Sequence, residues 1–148
     1  LKKDLIIISC SNRKKEFLGK VKAWDLYDGI FYRMLKKNNI DFNKFDIFII
    51  SAKYGLITPD TAIEYYDQKM TKDRASSLEA IVSSELLRLL SKEPVYNNIY
   101  LCLGKLYMKV IRFALPYFEY KEIKGGIGVK LGKLKKIITE ESEADIEV

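Results

Sequence analysis

Two short runs of almost purely aliphatic chain, "DLIIIS" at residues 4–9 and "DIFIIS" at residues 46–51, constrain this protein more than any other feature. Each is too short for a core helix, is rich in isoleucine and lacks polar alternation, so each reads as a strand buried on both faces. Between them Ala23, Leu26, Tyr27, Ile30, Phe31, Met34 and Leu35 recur at helical spacing, which predicts one helix with a continuous apolar stripe ending near Asn38-Asn39. A helix between two such strands is a crossover, and crossovers join parallel strands.

The pattern then repeats. Ala75, Leu78, Ile81, Val82, Leu86, Leu89 and Leu90 describe a second helix, with Thr71 as its N-cap and an end before Pro94. "NIYLCL" at 98–103 reads as a third strand. A helix over about 105–115 follows, with Tyr107, Val110, Ile111, Ala114 and Leu115 inward and Pro116 ending it. "YFEYKEI" reads as a fourth strand near an edge, and after "GGIG" a last helix is expected from about 129 to 139. The order βαβαβαβα predicts the α/β class: a three-layer α/β/α sandwich with a mainly parallel four-stranded sheet.

With 148 residues, 48% of them hydrophobic, the chain suits one domain over 1–148, its acidic stretch from about 140 expected to fray. No apolar run approaches the roughly 18 residues of a membrane span, and the opening residues do not read as a signal peptide, so a cytoplasmic protein without a membrane partner is expected. Cys10 and Cys102 are then expected as free thiols. The sequence holds no histidine, which excludes Ser-His-Asp chemistry and leaves two cysteines unable to complete a zinc site. No metal and no cofactor is expected. The formal charge of +6 permits a nucleotide or nucleic-acid partner, although the basic residues are spread along the chain instead of forming a tail.

In open parallel sheets ligands sit beyond the carboxyl ends of the strands, where strand order reverses. The polar clusters of this sequence fall at those exits. After the first strand, Ser9, Cys10, Ser11 and Lys14 offer hydroxyls, a cation and the one strong nucleophile of the rim. A buried cysteine at a strand end is the plainer alternative for Cys10, as it is for Cys102 within its strand. After the second strand come Ser51, Lys53, Tyr54 and Gly55. The lysine can hold phosphate and the tyrosine can stack on a base, whereas Gly55 supplies a left-handed turn and Pro59 stiffens the loop. Glu64, Tyr66 and Asp67 follow, carboxylates beside aromatics that suit either base recognition or acid and base chemistry, or else a turn packed on the core. Gly104 and Lys105 leave the third strand. "GGIGVKLG" sets glycines before a helix as a phosphate cradle does, but it lacks both common phosphate-binding fingerprints and reads at least as well as a tight turn.

"LIIISCSNRKK", "AWDLYDGIFYR" and "FIISAKYGLITPDTAIEYYDQKM" together resemble small bacterial and archaeal proteins of uncharacterised function that share a Ser-Cys-Ser start, a Ser-Ala-Lys-Tyr-Gly-Leu loop and a Tyr-Asp pair. More distantly the chain is similar to the archaeosine synthase domain with a Cys and then a Lys after its first strand, a fold itself similar to the uracil-DNA glycosylases. The resemblance implies that Cys10, Lys14, Gly55, Leu56, Tyr66 and Asp67 occupy the motif positions. It also implies a nitrile-bearing deazaguanine of transfer RNA as the kind of substrate a thiol could attack. The segment after Cys10 departs from that motif, lacking its Pro-Tyr and His.

Two readings follow. One is a nucleobase- or nucleotide-directed enzyme, acting on a free base or on a modified base of RNA or DNA, with Cys10 or Asp67 at the reactive centre. Lys14 and Lys53 would hold phosphate, and Tyr54 or Tyr66 would stack on the base. The other is a nucleotide- or nucleic-acid-binding module that performs no chemistry.

Overall fold

The computed structural model describes residues 2–92 and 95–140. Its strands are β1 (Asp4–Ser9), β2 (Val21–Lys22), β3 (Phe45–Ser51), β4 (Gly55–Ile57), β5 (Ala62–Ile63), β6 (Ile99–Cys102) and β7 (Lys121–Glu122). Its helices are α1 (Ala23–Leu26), α2 (Ile30–Lys37), α3 (Lys72–Leu90), α4 (Lys105–Val110) and α5 (Ile127–Thr139), with a 3-10 turn at Leu115–Tyr117. The expected end at Pro94 and the acidic tail beyond Glu140 lie outside the described residues.

The aliphatic runs are the centre of a mixed α/β architecture. β1 pairs in parallel with β3, from Asp4 opposite Phe45 to Ser9 opposite Ile50, and on its other side with β6, from Leu5 opposite Ile99 to Ile8 opposite Cys102. β7 adds in parallel to β6, and β4 adds antiparallel to β3, giving the order β4-β3-β1-β6-β7. The sheet therefore has five strands where four were expected. The extra one arises because Gly55, at φ 75°, turns the chain straight back onto β3, a conformation that costs glycine no steric clash. β2 and β5 form a separate two-stranded ribbon.

Side chains of β1 alternate between two buried clusters. Ile6 and Ile8 pack with residues of α1, α2 and α5, while Leu5 and Ile7 pack with residues of α3 and α4. Full burial of one such side chain contributes about 1.5–3 kcal/mol, so β1 is the natural anchor of the sheet. From β1 the chain goes to β3 on one side and then returns past β1 to β6 on the other. Strand order reverses between β1 and β6, and the exits of β1, β3, β6 and β7 share one rim.

Several local expectations change. The stripe from Ala23 to Leu35 is two helices, because Asp28 N–H donates to Arg13 O and Tyr27 is extended at ψ 129°, which breaks the helix before Gly29. Ile81 is 71% exposed on α3, outside the buried arc of Ala75, Leu78, Val82 and Leu86. The third-strand helix ends early, at Val110, and the edge strand shrinks to two residues. The Thr71 cap is as read, its Oγ1 accepting from Arg74 N–H at 3.1 Å.

Candidate functional site

Cys10 sits one residue beyond β1. Its N–H donates to Ile50 O at 2.9 Å, extending the ladder by one rung and fixing the half-buried thiol at the rim. Ser11 then turns the chain: its hydroxyl donates to Arg13 O at 2.6 Å and accepts from Gly29 N–H at 3.2 Å. A Cβ at Gly29 would stand 2.6 Å from the Ser11 Cβ, so this approach requires glycine. Lys15 N–H to Leu26 O and Asp28 N–H to Arg13 O fasten the loop to the segment between α1 and α2. Lys14 is thereby folded inward, its Nζ 4.4 Å from the centre of the Tyr66 ring. Burial draws its ammonium below the usual range, opposed by the charges of Cys10 and Asp67.

The exit of β3 supplies a hydroxyl network. Ser51 is wholly buried, and its Oγ accepts from Lys53 N–H at 3.2 Å and Tyr54 N–H at 3.0 Å. A hydroxyl oxygen has two lone pairs, so Ser51 must donate its own hydrogen to Tyr66, 2.9 Å away. Tyr27, also wholly buried, stands 2.7 Å from the same phenol. With Ser51 already filled, Tyr66 is the acceptor left to Tyr27 among the described residues. Tyr66 therefore receives two hydrogens and has its own left to donate, and the charge of Cys10 acts on its phenol. Arg74 holds this turn from outside, donating through Nε to Ala52 O at 2.6 Å and through Nη2 to Lys53 O at 2.8 Å.

The exit of β6 completes the cluster. Gly104 and Lys105 lead into α4, from which the Tyr107 hydroxyl reaches Cys10 Sγ at 3.2 Å. This contact bridges the exits of β1 and β6, between which strand order reverses. Burial, and then the charge of Cys10, raise the phenols of Tyr66 and Tyr107 well above their ordinary value, and burial pushes Tyr27 to about 12. All three remain protonated donors at neutral pH. The arrangement offers a nucleophilic sulfur, two phenols able to supply hydrogen bonds or a proton, and an ammonium at one rim of the sheet.

Of the residues singled out in the sequence, Cys10, Lys14, Ser51, Tyr54 and Tyr66 come together, Tyr54 by an edge contact with Tyr66 at 5.5 Å between ring centres. Ser9 contributes its carbonyl, which accepts from Tyr32 at 2.8 Å, and Gly55 contributes the turn. Lys53 is exposed, its Nζ 5.3 Å from the Tyr54 ring. The side chains of Glu64 and Asp67 are exposed. Glu64 joins the cluster through its backbone, which bonds the Tyr54 hydroxyl, and Asp67 through its charge on Lys14. Gly104 and Lys105 are exposed beyond β6. Tyr27 and Tyr107 were read as apolar stripe positions, and Arg74 was not singled out. The available signal was that both tyrosines carry a hydroxyl that burial obliges to find a partner. Among the described residues no group of three His, Cys, Asp or Glu side chains could hold a metal ion, and no helix is long and apolar enough to cross a membrane.

Residues 5–137 match the model of DUF6884, a family of unknown function, and the chain belongs to that family. No curated protein matches it. A crystal structure described as that of AF0587, a protein of unknown function, is similar in fold, with a TM-score of 0.57 and 14% identity. That likeness covers 95% of this chain but 46% of AF0587, so the chain spans about half the length of its structural relative.

Proposed function

We propose that this member of the DUF6884 family is a nucleobase- or nucleotide-directed enzyme with Cys10 as its nucleophile, the base being free or carried as a modified base in RNA or DNA. The observation that carries the reading is the 3.2 Å contact between Cys10 Sγ and the Tyr107 hydroxyl at the reversal of strand order, backed by the Lys14 ammonium 4.4 Å from the neighbouring Tyr66 ring. The reading includes a three-layer α/β/α sandwich, supported by the two buried clusters that β1 feeds. It also includes a cytoplasmic protein related to the archaeosine synthase and uracil-DNA glycosylase folds, supported by the motif positions Cys10, Lys14, Gly55 and Tyr66.

In this reading the Cys10 sulfur attacks an electrophilic carbon of the base, such as a nitrile carbon. The sulfur lone pair forms the S–C bond, one π pair moves onto nitrogen, and the thiol proton passes to the Tyr107 oxygen as the Tyr107 hydroxyl hydrogen passes to that nitrogen, giving a thioimidate and a neutral tyrosine. Lys14 holds negative charge on the substrate, and the Tyr54 face is offered to the base.

The test is mass detection of a changed base after incubation with nucleosides, nucleotides, deazaguanine derivatives and transfer RNA. Cys10→Ser should lower turnover by about a hundredfold or more while leaving affinity nearly unchanged. Binding without turnover in the native chain favours the binding-module alternative and overturns the enzymatic one.

A further inference from the structure

The basic residues look evenly spread along the sequence, but the stretch from the end of β6 through α5 is one-sided: residues 103–139 hold nine Lys and Arg against Glu119 and Glu122, before the acidic end of the sequence. Three of these lysines meet in a notch. Lys105, Lys124 and Lys130 line a hollow of about 310 Å³ beyond the ends of β6 and β7, with Glu122 the one acidic side chain in its wall. Lys130 Nζ donates to Leu103 O at 3.2 Å, which leaves two of its three hydrogens for a ligand. Lys105 and Lys124 are exposed, and neither is ion-paired with another described residue. A Cβ at Gly104 or Gly126 would touch nothing within 4 Å, so the chain beside the notch leaves room for a close approach.

α4 separates this notch from the cysteine. Lys105 and Met108, three residues apart and so on one helix face, line the notch, whereas Tyr107 reaches Cys10 from another face. The two sites are thus about one helix diameter apart, roughly 10–12 Å.

We propose that the notch formed by Lys105, Lys124 and Lys130 binds the phosphodiester backbone of a single-stranded polynucleotide whose neighbouring base reaches Cys10. This deepens the function proposed above and rests on it. Charge complementarity selects the ligand, and the strand must be single because a base open to attack has left its stack.

The test is fluorescence anisotropy of a labelled mixed-sequence single-stranded RNA against the full chain over a salt series. Lys105→Ala with Lys124→Ala should weaken binding and reduce the slope of log K against log salt by about 1.4, near 0.7 for each lysine. Lys37→Ala with Lys72→Ala, exposed lysines on α2 and α3, should leave the slope unchanged. Equal loss in both pairs, no binding by the native chain, or displacement of the strand by uridine monophosphate at equal phosphate concentration would overturn the notch. The same series on Cys10→Ser should match the native chain. Weakened binding confined to the Lys105 and Lys124 pair supports the notch even where the incubations with nucleosides, deazaguanine derivatives and transfer RNA find no changed base, a result that overturns the enzymatic reading alone, so the two failures are distinguishable.

Discussion

The Ser51 hydroxyl donates to the Tyr66 phenol across 2.9 Å, because two backbone N–H groups already occupy its oxygen. Ser51→Ala removes that donor and leaves the N–H groups of Lys53 and Tyr54 without their partner. We expect a loss of about 1–3 kcal/mol in urea unfolding, together with a changed rate of Cys10 alkylation at fixed pH. An unchanged urea midpoint and an unchanged rate would mean that the network does not order the site.

Two glycines should respond to alanine for different reasons. At Gly55 the φ of 75° is the obstacle, since a Cβ would meet Val82 at an ordinary 3.4 Å, and Gly55→Ala should cost about 1–2 kcal/mol. At Gly29 the backbone is unstrained, and the obstacle is the Ser11 Cβ at 2.6 Å. Gly29→Ala should therefore displace the Cys10 loop, and Gly29→Ala combined with Ser11→Gly should recover part of the loss. Thermal melts of the three chains would check this, and no recovery in the double variant would contradict it.

Stability should fall steeply in alkali. Burial holds Tyr27 at about 12 against an ordinary 10.0, so its contribution is whole below pH 10 and is lost as the pH rises through 12. Two units correspond to about 3 kcal/mol. Tyr32, Tyr66 and Tyr107 are raised as well and act in the same direction. Lys14 acts oppositely: its lowered value means that the native chain binds less proton than the unfolded chain just below pH 10.5, so its share of stability grows with pH there. Urea midpoints from pH 9 to 12 should show the net loss, and Tyr27→Phe should flatten it. A slope that Tyr27→Phe leaves alone would contradict the assignment.

Arg74 clamps the carbonyls of Ala52 and Lys53 from the first turn of α3. Arg74→Ala should speed hydrogen exchange at the amides of Lys53 and Tyr54, which depend on the same turn, and should cost about 1–2 kcal/mol. Exchange unchanged at those two amides would show that Ser51 alone holds the turn.

Much of the fold was readable because β1 and β3 are aliphatic runs with no competing helical period, and their parallel pairing follows from the helical chain between them. The break at Tyr27 to Gly29 was hidden, since periodicity registers which side chains face inward and not whether one axis carries them. β4 was missed because Gly55 was read as a turn alone, whereas β7 was read within "YFEYKEI" as an edge strand but longer than its two residues. At the rim, Cys10, Lys14 and Ser51 were singled out from their position after a strand, and Tyr66 from the segment of carboxylates and aromatics beyond it. Tyr27 and Tyr107 were assigned to apolar stripes because a tyrosine ring satisfies the stripe while its hydroxyl serves the rim. The clustering of lysines about β6, β7 and α5 needed the topology, because spacing along the chain conceals which exits are neighbours.

The claim that Cys10 is the working nucleophile of a base-binding rim is tested most directly by limited alkylation with iodoacetamide, followed by peptide mass mapping, with and without base-containing ligands. Cys102 is 4% exposed, with its thiol pushed up by burial to about 11, and should react slowly. The account predicts that Cys10 is labelled first and that a nucleobase, nucleotide or single-stranded oligonucleotide slows its labelling. Equal labelling of the two cysteines, or Cys10 labelling unaffected by every such ligand, would contradict it.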